Sequence, residues 1–273
     1  MKPHIIYILG SGHSGSTILQ YLLAGNPNVV GLGEVRQMAD GRGWNNEADD
    51  CSCGNAVQAC PLWQGLQANP VEEGLDWYKR LINRTAELYP QATHLVDSSK
   101  SVHTIAPWIN LTSEGIISGV RVIYLVRDVR GWAVSDENTR KRKNRPSRSV
   151  VTSMLSWWTA QLRMMHYLKN QKDFIPLTVS YESLIFQTNT QLFRIAAFCN
   201  IPGEGTNWEK ALKTSTVHDV FGNRMKNDPF VRSRLTYDDR WQYRMAVNLA
   251  LPVLYPVWRL NSKLRMLSGV EHK

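Results

Sequence analysis

The run Gly10-Ser11-Gly12-His13-Ser14-Gly15-Ser16-Thr17 follows directly on the apolar stretch Ile5-Ile6-Tyr7-Ile8-Leu9. Glycines and small hydroxyls at such a junction can hold a phosphate. The glycines let the backbone approach the anion closely, and the N–H groups at the start of the next helix (Ile18, Leu19, Leu22, Leu23) point at it. The spacing Gly10-x4-Gly15 copies a P-loop. The P-loop lysine is absent, however, and Ser16 stands in its place, followed by Thr17. A kinase or ATPase uses that lysine on the β- and γ-phosphates and the next hydroxyl on magnesium. The loop therefore reads as a phosphate cradle that does not handle a triphosphate. Taken alone, it is also compatible with a tight strand–helix turn.

A second cluster follows the apolar run Val122-Ile123-Tyr124-Leu125-Val126. It begins at Arg127 and reaches Ser135 eight residues on. A guanidinium fork at a strand end, with a hydroxyl in the following helix, can bracket one more phosphate. A third cluster, Asp97-Ser98-Ser99-Lys100, closes another apolar run.

These clusters need strands to carry them. Strands are predicted near 4–9, 93–97, 121–126 and 175–180, each rich in Ile, Val, Leu or Thr. Helices are predicted at 16–25, 74–89, 101–110, 130–142, 150–170, 188–199 and 240–265. Alternating strands and helices imply an α/β fold with a mainly parallel central sheet flanked by helices, P-loop-like in its first turn. Ligands in such sheets bind at the carboxyl ends of the strands, where all three clusters fall. Trp157 and Trp158, on the long helix, read as core rather than as platforms for a base.

The 273 residues, 43% hydrophobic, are ample for one domain over 1–273, with a Cys/Trp-containing insertion at about 35–75. No repeat, low-complexity segment or linker interrupts them. The first apolar run is too short for a signal-peptide core. The late apolar stretch from Ala246 to Trp258 is broken by Asn248, Pro252 and Pro256, so it reads as a packed or interfacial helix with kinks, not a span. A cytoplasmic protein with no transmembrane segment is expected. Net charge is +9, and six of the nine residues 140–148 are basic. That run reads as a solvated face or as an electropositive rim beside a polyanionic cofactor. No nucleic-acid-binding motif accompanies it, so nucleic acid is not an expected partner. Cys51, Cys53 and Cys60 cluster ahead of Trp63. The C-x-C spacing lacks a nearby fourth ligand, with His94 and His103 as remote candidates. Zinc, a redox-sensitive disulfide and free thiols in a packed loop all stay open.

The pair GSGHSGST and LVRDVRGWAVS resembles the two signatures of sulfotransferases that use 3′-phosphoadenosine 5′-phosphosulfate (PAPS). The resemblance extends over most of residues 4–230. It implies that Gly12, His13, Ser14, Gly15, Ser16 and Thr17 hold the 5′-phosphosulfate, and that Arg127 and Ser135 hold the 3′-phosphate. Leu177–Leu184 is similar to the family's strand ending in Tyr-Glu, which places Tyr181 near the nucleotide. Gly222–Lys226 is similar to a basic loop over the cofactor, which adds Asn223 and Arg224. No metal is required by that chemistry.

The segment Asn26–Arg36 resembles that of tyrosylprotein sulfotransferases in which a Gly-Glu…Arg run carries the base, which makes Glu34 the expected general base. Helix capping or an ion pair is the plain alternative for Glu34. Lys100 matches a lysine beside the transferring group, and His103 is the rival base. One departure stands out: His13 occupies a position where the family carries Lys or Arg. A histidine supports the bridging oxygen only when protonated or as a neutral N–H donor. Arg36, Lys100 or the 140–148 run are candidates for the missing fixed charge. The acceptor implied is a small metabolite or carbohydrate. Tryptophans 44, 63, 77 and 108 would suit a flat or sugar-like one, and Asp40, Glu47, Asp49 and Asp50 a cationic one. Rival readings are a nucleotide kinase or ATPase, and a non-catalytic nucleotide- or polyanion-binding protein. Oligomeric state is not readable from the residues.

Overall fold

Along the first strand Ile5, Tyr7 and Leu9 enter one core while Ile6 and Ile8 enter another. This period-two split, with every position apolar, is the pattern of a strand buried on both faces. The structure is a computed structural model that describes residues 2–44, 50–67, 74–172, 174–203, 207–221 and 234–269. Its sheet consists of β1 (His4–Gly10), β2 (Val29–Gly33), β3 (His94–Lys100), β4 (Gly119–Val126) and β5 (Leu177–Ser180). The spatial order is β2-β3-β1-β4-β5, and every pairing is parallel. The α/β expectation holds, with a sheet that is wholly rather than mainly parallel.

The chain leaves β1 for β2 and β3 on one side, then crosses to β4 and β5 on the other. The reversal lies between β1 and β4, and the crevice outside their carboxyl ends is where such sheets bind ligands. One face is covered by α1 (Ser16–Leu23), α7 (Tyr181–Phe186), α8 (Thr188–Cys199) and α9 (Trp208–Thr214). The other face carries α2 (Val35–Ala39), α3 (Gly74–Leu88), α4 (Ala106–Ser113), α5 (Val129–Arg142) and α6 (Val150–Asn170). It also carries α10 (Met245–Val253) and α11 (Tyr255–Leu267). No helix of the described residues is long and apolar enough to cross a membrane.

Two sequence expectations need correction. The helix predicted over 240–265 is two helices, broken at Leu254, with Pro252 in the last turn of one and Pro256 in the first turn of the next. Proline lacks the N–H and clashes with the preceding turn, so the break falls there. Trp63, Trp77 and Trp108 are not available to an acceptor. Each is at most 2% exposed, and they form a core stack with Tyr78. Trp157 is core as expected, and Trp158 packs against it.

Candidate functional site

The loop after β1 is shaped by two glycines that admit no side chain. A Cβ on Gly10 would lie 2.5 Å from the carbonyl oxygen of Leu125 on the adjoining strand. Gly15 has φ 93°, and a Cβ there would lie 2.6 Å from the Tyr181 ring. Gly15 is also the N-cap of α1 and has no side chain to cap with. The first N–H groups of that helix therefore stay available to an anion, with Ser16 and Thr17 buried in the same turn. The loop is braced from behind. Ser14 Oγ donates to Ser11 O (2.7 Å), Gln161 Nε2 to Ser11 Oγ (2.8 Å), and Trp132 Nε1 to Gly12 O (2.6 Å).

Arg127, at the end of β4, joins this loop to the rest of the crevice. Its Nη1 donates to His13 O (2.9 Å) and its Nη2 to Asp238 Oδ2 (2.8 Å). Its guanidinium carbon sits 4.5 Å from the centre of the Tyr181 ring, within cation–π range. Its Nε is buried with no hydrogen-bond partner among the described residues. Arg127 and Arg240 together hold the Asp238 carboxyl down at about 2, against the opposing effect of burial. Gly131 keeps space beside the guanidinium, since a Cβ there would stand 3.1 Å from Arg127 Nε.

A carboxylate–ammonium pair closes the other side. Glu34 follows β2 directly and Lys100 is the last residue of β3, so adjoining parallel strands present them side by side. Lys100 Nζ donates to Glu34 Oε1, and Gln37 Nε2 to Glu34 Oε2. Below them Asp97 is fully buried. It accepts from Ser99 N (2.8 Å), Ser99 Oγ and Trp108 Nε1 (2.7 Å). Burial raises its carboxyl to about 6, and those donors limit the rise.

Four non-glycine residues of the described chain take positive φ. Two of them, His13 (68°) and Lys100 (72°), stand at this site; left-handed backbone at non-glycine residues is uncommon and clusters at functional sites. Burial lowers the His13 pKa, and the nearby charges of Arg127, Lys100 and Arg142 push it the same way. Asp136, 4.0 Å from His13 Nε2, opposes them. His13 is therefore neutral at pH 7, with one ring N–H to donate.

The model of the sulfotransferase family matches residues 3–205. The chain belongs to the sulfotransferase family. Solved sulfotransferases share its fold at low sequence identity. The sulfotransferase domain from the curacin biosynthetic pathway superposes with a TM-score of 0.57 at 16% identity, covering 93% of this chain and 98% of that one. The domain from the Synechococcus PCC 7002 olefin synthase gives 0.53 at 18%, covering 91% and 95%. Mouse sulfotransferase SULT7A1, in complex with PAP, gives 0.56 at 15%, covering 98% and 88%. No sequence among the curated proteins matches the chain.

Of the residues singled out in this sulfotransferase's sequence, the fold gathers Gly12–Thr17, Arg127 and Tyr181 into one contact group and Glu34 with Lys100 into a second. Ser135 sits half-buried in α5, next to the Asp136 that faces His13. His103 is exposed on the turn before α4, its backbone N–H bound by Ser101 Oγ. Arg36 is turned to Asp40 (2.7 Å), and Arg140 and Lys141 are tied to Asp136 and Glu137; of the candidates for the missing fixed charge, Lys100 and Arg142 are felt at His13, alongside Arg127. Asn223 and Arg224, like Glu47 and Asp49, lie outside the described residues. Trp132, inside the Arg127…Ser135 motif, and Asp136, the residue directly after it, are functional neighbours of the loop that the motif itself does not single out. Asp238 has no local sequence signal at all. The side chain that joins Cys51, Cys53 and Cys60 in space is His218, not His94 or His103.

Proposed function

We propose that this sulfotransferase moves a sulfuryl group from PAPS to a hydroxyl, or to an amine or amide nitrogen, of a small metabolite or carbohydrate. The observation that carries the proposal is the meeting of an uncapped helix start, Arg127 and Tyr181 at the sheet's reversal point, with a carboxylate–ammonium pair at the next two strand ends. The residues fit such a donor. Gly12 has open space where a Cβ would be, and Arg127 keeps a buried N–H beside the cradle without a partner among the described residues. One structural neighbour is a complex with PAP, the product form of that donor.

PAPS supplies an activated sulfuryl group, whose bond to the phosphate oxygen breaks as the bond to the acceptor forms. The protein positions the partners and stabilises charge. The N–H groups of Gly15–Thr17 and the hydroxyls of Ser16 and Thr17 hold the 5′ anion. Arg127 and Ser135 hold the 3′-phosphate, with Tyr181 packed under the guanidinium, while Asn223 and Arg224 add donors from the C-terminal side. Glu34 takes the acceptor's proton. Each carboxylate oxygen accepts more than one hydrogen bond, so its ties to Lys100 and Gln37 leave lone pairs for this. Lys100 holds Glu34 in place and sets a positive charge beside the transferring group. His13 donates its neutral N–H to the leaving oxygen. No metal takes part in these steps.

The test is PAP release from PAPS in the presence of a panel of small hydroxyl and amine acceptors, with ATP–magnesium as the rival donor. Acceptor-dependent PAP release supports the reading. Phosphoryl transfer from ATP, or PAP binding without turnover on any acceptor, would replace it with a kinase or a nucleotide-binding protein.

A further inference from the structure

Away from the crevice, three thiols and an imidazole converge. Cys51, Cys60 and His218 are buried and Cys53 is exposed, and their four donor atoms all lie within 4.8 Å of one another. We propose that these four residues form a structural zinc site that clamps the 50–60 segment to the strip running along β2.

Three of the six edges of the cluster lie near those of a zinc tetrahedron. Zn–S bonds of about 2.3 Å and a Zn–N bond of about 2.0 Å set S···S edges of about 3.8 Å and S···N edges of about 3.5 Å. The Cys53 and Cys60 sulfurs are 3.6 Å apart, and His218 Nδ1 lies 3.8 Å from Cys51 Sγ and 3.2 Å from Cys60 Sγ. Three soft sulfurs and an imidazole, with no carboxylate among them, select zinc over magnesium or calcium. Four protein ligands leave no position for substrate, which makes the site structural. The imidazole is already oriented for the task. Tyr89 Oη pairs with its Nε2 and Trp63 Nε1 donates to its backbone carbonyl (3.1 Å), so Nδ1 faces the sulfurs.

A disulfide explains the cluster less well. All four cysteines of the chain are free, and 3.6 Å is far beyond the roughly 2.05 Å of an S–S bond. Pairing two sulfurs would also leave the third, and the ring nitrogen aimed at them, without a role.

The clamp spans parts of the chain 158 residues apart, and its position gives it a purpose. Thr216 O accepts from Gly31 N and His218 N donates to Gly31 O, so the 216–218 strip extends the sheet beyond β2. Ser52 ties the cysteine turn to the same strip through Val217 O (2.7 Å) and Asp219 N (2.8 Å). Gly33, one residue before Glu34, packs so closely on Asp219 that a Cβ would meet its backbone at 2.9 Å. The ligands thus hold the strip that backs the Glu34 turn.

The test uses the full-length chain, stripped with a chelator under reducing conditions and titrated with Zn²⁺ alone. One zinc per chain and a raised melting temperature are expected. Co²⁺ in its place should give intense tetrahedral visible bands and thiolate-to-cobalt charge transfer. Cys53→Ser changes an exposed side chain, so the fold survives. It should weaken zinc binding and remove about a third of the charge-transfer intensity, one thiolate of three being lost. Tyr89→Phe, which loses only the outer hydrogen bond, should cost about tenfold in zinc affinity. The proposal is overturned if Zn²⁺ neither binds at one per chain nor shifts melting, if Cys53→Ser binds zinc as the parent does, or if anaerobically prepared protein carries a disulfide within the cluster.

Discussion

The two ends of the crevice are built by different means. At the end proposed for the nucleotide, nearly every constraint is backbone: Gly10 and Gly15 have no room for a Cβ, Arg127 and Trp132 bond to main-chain carbonyls, and the helix start does the rest. At the end proposed for the acceptor the constraints are largely side-chain contacts: Glu34 with Lys100, Asp97 with Trp108, and the Cys51, Cys53, Cys60 and His218 cluster. Backbone-built sites tolerate no change in shape. A site built of side chains can change its specificity while the sheet stays as it is.

The largest effect that would sharpen this contrast is Glu34→Gln. Removing a general base costs about 10²–10⁴-fold in turnover. Turnover should fall within that range while PAP affinity changes only a few-fold. A parallel loss of PAP binding would mean that the two ends are not separable. Next is Asp97, the buried acid beneath the acceptor end. Its folded pKa of about 6 lies above its ordinary 3.8, so the folded state holds the proton more tightly. Stability is then fully present below about pH 3.8 and declines as pH rises through about 6, by roughly 3 kcal/mol for two units. Urea melts at pH 4 and pH 7 should show this trend, and Asp97→Asn should abolish it.

At the nucleotide end Gly15→Ala should cost about 1–2 kcal/mol from left-handed backbone alone, and more because Tyr181 must shift. PAP affinity should fall with the melting temperature. Wild-type affinity in this variant would break the claim that backbone shape makes the cradle. The smallest effect is a flat profile. His13 titrates below 6.5 and is neutral above it, so kcat should not decline between pH 7 and 8 on its account. A descending limb in that interval, absent in His13→Ala, would show that the protonated form is the working one. His13→Ala itself should lower turnover far more than PAP affinity.

The same contrast decides what was legible in the sequence. The cradle, Arg127 and Tyr181 each follow a strand rich in branched or apolar residues, so local pattern and short motifs locate them. β2 escaped because two of its five residues are glycine. Gly31 is one of them, and a Cβ there would crowd Gln20 and Val217, both at 3.0 Å. Glu34 was found through its resemblance to a known segment, without the strand that presents it. Trp63, Trp77 and Trp108 read equally well as a pocket wall or as core, because residue type alone does not distinguish the two. His218 and Asp238 join their partners only through the tertiary fold, and no spacing rule reaches them.

The central claim is that the β1–α1 cradle and Arg127 form a site for a 3′-phosphorylated nucleotide. Titration calorimetry of PAP against the wild-type chain and Arg127→Ala, with ATP–magnesium as control, tests it most directly. Hydrogen bonds to a charged group are worth about 1.5–3 kcal/mol each, so loss of the guanidinium should weaken PAP binding by about 100-fold or more. Wild-type protein should bind PAP in clear preference to ATP–magnesium. Equal PAP affinity in the two proteins, or tighter binding of ATP–magnesium, would contradict the account.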